Sequence, residues 1–259
     1  MDTQPSHQAV NTQQIQFPNG SRALAVTSSP GTRAIDLVQA LGITRPKALI
    51  LIAGGAAKMS EPDQHSLIQL FTYGIAHVAA SLDAVIIDGG TQSGVMAFMG
   101  QGVAQQQRKP TLLGISPAGM VTYPGKPADK SSGDEVPLEP NHTHFVLVET
   151  DEWGGETETM YELAKILSAG CSSLAVLVNG GPIAENEVLL NVRQGRPVIV
   201  IEGSGRLADE IAGILREQPP SITDPELSEI TTSGDLHLFP LAGSAQELEQ
   251  LTQRLLSGQ

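Results

Sequence analysis

Glycines are the residues best placed to do chemistry in this sequence. Pairs or near-pairs follow four apolar runs: Gly54 with Gly55, Gly89 with Gly90, Gly180 with Gly181, and Gly203 with Gly205. Each leads into a segment with helical spacing, so free backbone N–H groups stand beside positions that lack a Cβ. Such loops attract anions and let a phosphate approach the main chain. Tight strand-to-helix turns would account for any one pair, whereas four pairs along one sheet edge favour a phosphate-bearing ligand. Familiar phosphate motifs do not cover them. The stretch 89–94 (GGTQSG) lacks the lysine of a Walker A loop. Gly203, Gly205 and Ala208 read G-x-G-x-x-A, but the acidic residue expected at the end of the next strand is replaced by Asp224 in a proline-rich stretch. That argues against an ordinary NAD dehydrogenase. Ser116, in GISPAG, misses the spacing of a nucleophile elbow and reads as a loop hydroxyl.

The elements that must position these loops follow from the apolar runs themselves. Residues 48–53, 84–87, 111–115, 144–148, 174–178 and 197–201 are continuous stretches, mostly β-branched or leucine, as strands covered on both faces require. Helical spacing falls between them at 62–81, 93–107, 156–169, 183–193 and 206–217. The alternation predicts an α/β fold with a mostly parallel sheet, right-handed crossovers and helices on both faces. Glycine loops at the carboxyl ends of such strands share one edge, where open α/β sheets bind ligands. Residues 1–12 read as a disordered tail and 13–259 as one domain, with an outer strand or hairpin over 13–28. Residues 117–141 and 218–235 read as irregular connections, the first long enough to serve as a lid. A last strand at 236–239 and a helix at 245–256 complete the expected order.

Composition narrows the function classes. Fifteen basic against 28 acidic residues give a net charge of −13, which repels nucleic-acid backbone and anionic lipid. Five Phe, three Tyr and one Trp are too few for a platform that stacks unpaired bases. The single cysteine, Cys171, cannot form an internal disulfide and fits a reducing compartment as a small buried hydrophobe. Without an apolar run of membrane-spanning length or a leader-like start, the expectation is a cytoplasmic protein. His142 and His144 alternate into a strand with no third ligand at metal spacing, so hydrogen bonding is preferred to zinc and no metal is expected. The acidic run 149–162 reads as a solvated face apart from Glu156.

In order along the chain, IAGGA (52–56), IDGGTQSGV (87–95), LGISPAGMV (113–121), PNHTHFVL (140–147), WGGE (153–156), LVNGGP (177–182) and VIEGSGRLAD (200–209) resemble the cytoplasmic amino-terminal homology region of melastatin-type TRP channels. That region belongs to the SLOG superfamily, a Rossmann-like group that includes the DprA and Lonely Guy proteins. The chain is similar to its stand-alone prokaryotic branch. The resemblance implies a Rossmann-like doubly wound sheet over 13–259, a nucleotide ligand such as ADP-ribose or an NAD-derived relative, and a homo-oligomer that requires no cofactor. An apolar face over 67–82 offers a surface for that assembly or for the monomer's own core. The ligand-binding residues it implies are Gly54, Gly55, Gly89, Gly90, Thr91, Gln92, Ser93, Gly94, Ser116, Gly155, Gly180, Gly181, Glu202, Gly203, Ser204, Gly205, Arg206 and Asp209.

Side-chain chemistry gives these positions roles and alternatives. Arg206 can grip a diphosphate in bidentate fashion or simply stand exposed at a helix start. Thr91 and Ser93 can donate to phosphate or cap a helix. Glu202 can accept ribose hydroxyls or remain a solvated loop carboxylate. Lonely Guy enzymes cleave an N-glycosidic bond with a PGGxGTxxE signature and an upstream arginine. Residues 153–157 (WGGET) match it only in part, and no arginine occurs between Arg108 and Arg193. Glu156 is nonetheless the candidate catalytic carboxylate, able to hold ribose or stabilise oxocarbenium-like charge, against the alternative of a first-turn glutamate favoured by the helix dipole.

Overall fold

The apolar runs do form strands, and the computed structural model, which describes residues 10–29, 31–127, 133, 135–217 and 223–258, sets them side by side in one sheet. The strands are β1 (Thr12–Gln16), β2 (Arg22–Ser28), β3 (Ala48–Gly54), β4 (Val85–Asp88), β5 (Thr111–Pro117), β6 (Val121–Thr122), β7 (Val136–Pro137), β8 (His144–Val148), β9 (Ser172–Val178), β10 (Val198–Glu202) and β11 (Leu236–Pro240). Nine of them form the sheet, in the order β1-β2-β8-β5-β4-β3-β9-β10-β11, and β6 pairs with β7 apart from it. Among these strand pairs of the described residues, only β1–β2 is antiparallel. From β3 the chain moves outward through β4 and β5, then returns to lay β9 along the other side of β3. This is the doubly wound, Rossmann-like arrangement, and its topological switch point lies between β3 and β9.

The helices are α1 (Ala34–Leu41), α2 (Glu61–Gln69), α3 (His77–Leu82), α4 (Gly94–Ala104), α5 (Thr157–Leu167), α6 (Pro182–Arg193), α7 (Arg206–Arg216), α8 (Pro225–Ser233) and α9 (Ala245–Ser257). Alternate residues of β3 explain why its run is apolar throughout. Leu49, Leu51 and Ala53 join the core beneath α1, α5, α6, α7 and α8, while Ala48, Ile50 and Ile52 join the core beneath α2, α3, α4 and α9. A strand covered on both faces has no solvated side on which to place polar residues.

Several elements depart from the expected pattern for local reasons. Between α2 and α3 the backbone widens into a π-helical stretch, Leu70–Ala76. The apolar face of 67–82 is spent there: Leu67, Leu70, Phe71, Ile75, Val78 and Ala79 are buried in the monomer's own core, leaving Tyr73 exposed. α8 arises within a segment expected to be irregular, because Pro225 occupies the first helical turn and Asp224 caps it, accepting from the N–H groups of Glu226 (2.8 Å) and Leu227 (3.2 Å). Of the expected tail, residues 1–9 lie outside the described residues, and Thr12 already starts β1. Cys171 is partly exposed rather than buried.

The long connection after β5 is pinned by main-chain bonds. The N–H of Gln92 donates to Pro137 O (2.7 Å), that of Leu138 to Thr122 O (2.9 Å) and that of Glu139 to Gly90 O (2.9 Å). Lys126 Nζ donates to Val121 O (2.7 Å), Ala118 O (3.1 Å) and the Glu135 carboxylate (3.1 Å). Residues 128–132 and 134 of this connection lie outside the described residues. Its described residues brace the loop after β4 and do not line the cleft described below.

Candidate functional site

A cleft of about 330 Å³ opens at the switch point. Its floor is created by a close approach between strands. Gly54, at the end of β3, has φ +115°, and a Cβ there would overlap the carbonyl oxygen of Val178 at the end of β9. Glycine alone satisfies both constraints. The next N–H, of Gly55, donates to that same oxygen (3.1 Å). The cleft is lined by Ile52, Gly54, Gly55, Gly89, Thr91, Met96, Trp153, Glu156, Gly180, Gly181, Pro182, Ile183, Ala184, Glu187 and Arg206. Three of the four glycine loops therefore meet there. The fourth contributes only Arg206.

Arg206 reaches the cleft through a strained backbone. Its φ is +51°, a left-handed value that costs a side-chain-bearing residue roughly 1–2 kcal/mol. A buried bridge between loops holds this conformation. Ser204 Oγ accepts from Asn179 N (2.7 Å) and donates to Ile201 O (2.5 Å), while Asn179 Nδ2 donates to Ser204 O (2.7 Å). The turn so fixed carries the guanidinium over Gly181, where an added Cβ would lie 2.6 Å from Nη2. Arg206 makes no ion pair among the described residues, so its charge is free to face an anion.

Two carboxyl groups share the cleft with this cation. Glu156 is 6% exposed and accepts from the Gly154 N–H (2.8 Å). Burial raises its pKa above the usual carboxylate range, and the backbone N–H groups of Glu156 and Gly154 pull part of that back. Glu187, in the second turn of α6, was not anticipated. Burial, followed by the charges of Glu156 and Asp88, pushes its pKa up to about 8, so it is predominantly neutral at pH 7. A helical signal existed for it: Glu187 stands four and three residues after Ile183 and Ala184, on the face that they present to the cleft.

Behind the β4 loop lies a buried charged triad, also absent from the sequence reading. His142 Nε2–H donates to Asp88 Oδ1 and Nδ1–H to Glu139 Oε2, both at 2.8 Å. Burial opposes charge on the ring, but the Asp88 and Glu139 carboxylates together outweigh it and raise the His142 pKa to about 9. Asp88 Oδ1 also accepts from Gly90 N (2.7 Å), which sets the first turn after β4, while Oδ2 is buried with no hydrogen-bond partner. The expectation of a hydrogen-bonding role for His142 holds. No group of His, Cys, Asp and Glu fit to hold a metal ion occurs among the described residues.

The remaining sequence-derived site residues sit outside the cleft. Ser116 Oγ is buried and donates to Gly89 O (2.6 Å), bracing the β4 loop from β5. Gly90 packs against Gly114, and Gly94 against Ala56. Gln92 and Ser93 are exposed; Ser93 stands at the N-cap position of α4 without a side-chain cap bond. Gly155 packs against Thr150. Glu202 lies outside the cleft lining, and both its oxygens accept from the guanidinium of Arg216. Asp209 accepts from the Gly203 N–H (2.6 Å), and Gly205 packs beside Asn179. Ser204 is consumed by the bridge to Asn179. These groups shape the loops, and Gly54, Gly55, Gly89, Thr91, Glu156, Gly180, Gly181 and Arg206 face the cavity.

Residues 47–250 match the family model described as SLOG in TRPM, prokaryote. Among curated proteins, transient receptor potential cation channel subfamily M member 2 of Mus musculus is 27% identical over 211 residues, covering 69% of this chain and 14% of the channel. Subfamily M member 7 of Homo sapiens is 27% identical over 252 residues, covering 83% of this chain and 13% of the channel. Subfamily M member 1 of Mus musculus is 29% identical over 197 residues, 63% of this chain and 12% of the channel. The chain thus spans about one seventh or less of these relatives. Among the described residues, no helix is long and apolar enough to cross a membrane.

Proposed function

The chain belongs to the prokaryotic branch of the SLOG-in-TRPM family, and from that premise we propose that it is a sensor-type nucleotide-binding protein whose ligand is ADP-ribose or a related NAD-derived nucleotide. The observation that carries this reading is the convergence of the glycine loops after β3, β4 and β9 with the unpaired Arg206 on one cleft. In a protein of net charge −13, main-chain N–H groups and one free guanidinium are the means of holding a diphosphate. A cytoplasmic location and a homo-oligomeric state belong to the same proposal. Thermal unfolding with and without ADP-ribose tests it. At 100 times its Kd the ligand stabilises by about 2.7 kcal/mol, and Arg206→Ala reduces this stabilisation. Absence of any shift across a panel of adenine nucleotides and nucleotide sugars would refute the proposal.

The carboxyl pair favours a second reading, an N-glycosidic hydrolase acting on a nucleotide. In that reaction Glu187 gives its proton to the departing base, and Glu156 stabilises positive charge on the ribose and accepts a proton from the attacking water. The raised pKa of Glu187 supports its part as proton donor, and the backbone N–H groups of Glu156 and Gly154, which favour the ionised form, support the part of Glu156. Chromatography of nucleotides and NAD after incubation with the protein tests for released base. Turnover that survives Glu156→Gln would remove this reading.

A further inference from the structure

The sheet ends on an uncovered strand. Among the described residues β11 pairs with β10 alone, and its far side is open. The register fixes which main-chain groups face that side. Val198 N–H donates to Asp235 O (2.8 Å) and Leu241 N–H to Glu202 O (2.7 Å), so in this parallel pair the odd-numbered residues of β11 bond to β10. The N–H and C=O groups of Leu236 and Leu238 point outward, and Pro240, which has no N–H, ends the run. Both leucine side chains are only partly buried, packed against the cluster that includes Val192 and Ile230. On the other face a groove of about 410 Å³ separates β11 from α9, with His237, Glu247, Leu251 and Arg254 in its walls. A bare strand edge of this kind is a template for pairing with another strand.

We propose that β11 is the dimer interface of this protein, pairing antiparallel with β11 of a second copy about a two-fold axis at His237. The proposal gives a surface to the homo-oligomeric state in the reading above and rests on that part of it alone. Three features of β11 fit its own copy. With the axis at His237, Leu236 of each copy stands opposite Leu238 of the other, and the outward N–H and C=O groups exchange two hydrogen bonds in each of these two pairs. The same pairing sets Leu236 against Leu238 on one face, covering side chains that the monomer leaves partly exposed. On the other face the axis reverses the direction of α9, bringing Arg254 of each copy to the end of the joint groove where Glu247 of the other lies. Arg254 makes no ion pair among the described residues. A surface complementary to itself in hydrogen bonds, apolar contact and charge closes as a two-fold dimer. The opposite edge lacks these features: β1 presents Thr12, Gln14 and Gln16, exposed polar side chains that gain little from cover.

Oxidative cross-linking of the full chain, carrying Cys171→Ser, tests the axis. His237 stands opposite itself in a non-hydrogen-bonded pair, whose Cα atoms lie about 4.5 Å apart and within disulfide reach. With diamide as oxidant, His237→Cys therefore gives a disulfide-linked dimer. Asp235→Cys does not, because its two copies lie roughly 13 Å apart along the strands. Sedimentation supplies the second measurement. The wild-type chain sediments as a dimer, and Leu238→Pro, which removes an outward N–H from each copy and no bond to β10, sediments as a monomer with its circular dichroism retained. If Leu238→Pro fails to fold, the cross-link pattern decides. A wild-type chain that is monomeric at every concentration overturns the interface together with the homo-oligomeric state, and leaves nucleotide binding to be scored by thermal shift. A dimer that survives Leu238→Pro and is not cross-linked by His237→Cys overturns the β11 interface alone.

Discussion

The guanidinium of Arg206 lies over the backbone of Gly181, where an added Cβ would come within 2.6 Å of Nη2. The flexible end of Arg206 would yield to that methyl, and Gly181 has an extended backbone that alanine adopts easily (φ −142°, ψ −161°). Gly181→Ala is therefore expected to leave the urea midpoint within experimental error while weakening ADP-ribose binding. Combining it with Arg206→Ala adds little further loss, because both changes remove the same contact. Full additivity in calorimetry would separate the two residues.

Gly54 behaves in the opposite way. Its φ of +115° and the overlap of any Cβ with Val178 O put the strain in two backbones, neither of which can rotate aside. Gly54→Ala is expected to destabilise the fold by more than about 2 kcal/mol, in the range of backbone-strain mutants. Urea denaturation of the variant measures this directly, and a near-neutral result would mean that the β3–β9 approach is looser than described.

The His142 triad predicts a pH dependence of stability. A ring whose folded pKa is about 9 binds its proton more tightly folded than unfolded, where the value is near 6.5. Its stabilisation is full below about pH 6.5 and is lost as the pH rises through about 9. Glu187 has the same sign in a lower window. Folding favours its neutral form, so its contribution falls from about pH 4.5 toward about 8. Urea midpoints between pH 5 and 10 are expected to decline, His142→Gln flattening the upper part and Glu187→Gln the lower. A profile that both variants leave unaltered would contradict these protonation states.

Ser204 links two loops from a buried position, so Ser204→Ala leaves the Asn179 N–H without its acceptor, at a cost of about 1–3 kcal/mol. Because the same bridge holds Arg206 at a left-handed φ, ligand affinity falls together with stability. Ser204→Ala with lowered stability but unchanged affinity would show that Arg206 is held by other contacts.

Much of the fold was written locally. β3, β4, β5, β8, β9 and β10 fall within about two residues of their apolar runs, because a strand covered on both faces must be apolar at every position. α1, α8 and the π-helical stretch are not legible in the local pattern: α1 is short and starts without a side-chain cap bond, and Pro225 in α8 reads as a breaker until its place in a first turn is known. The glycine loops were legible for the same local reason as the strands, since a chain leaving a strand for a helix needs unusual backbone angles.

The amino-acid sequence by itself determined where strands end, which loops lack side chains and what net charge surrounds them, because these depend on neighbours a few residues apart. Only the tertiary structure decided which loops meet. Strand order set β9 beside β3 and so placed Gly54 against Val178. Loop packing turned Arg206 toward Gly181 and left Glu202 to Arg216, and it joined Asp88 to His142 across 54 residues of chain. Glu187 owes its raised pKa to the burial that this packing creates and to charges carried by other elements. Such pairings are settled by the burial of both faces of the sheet at once, a constraint that no local stretch of residues contains.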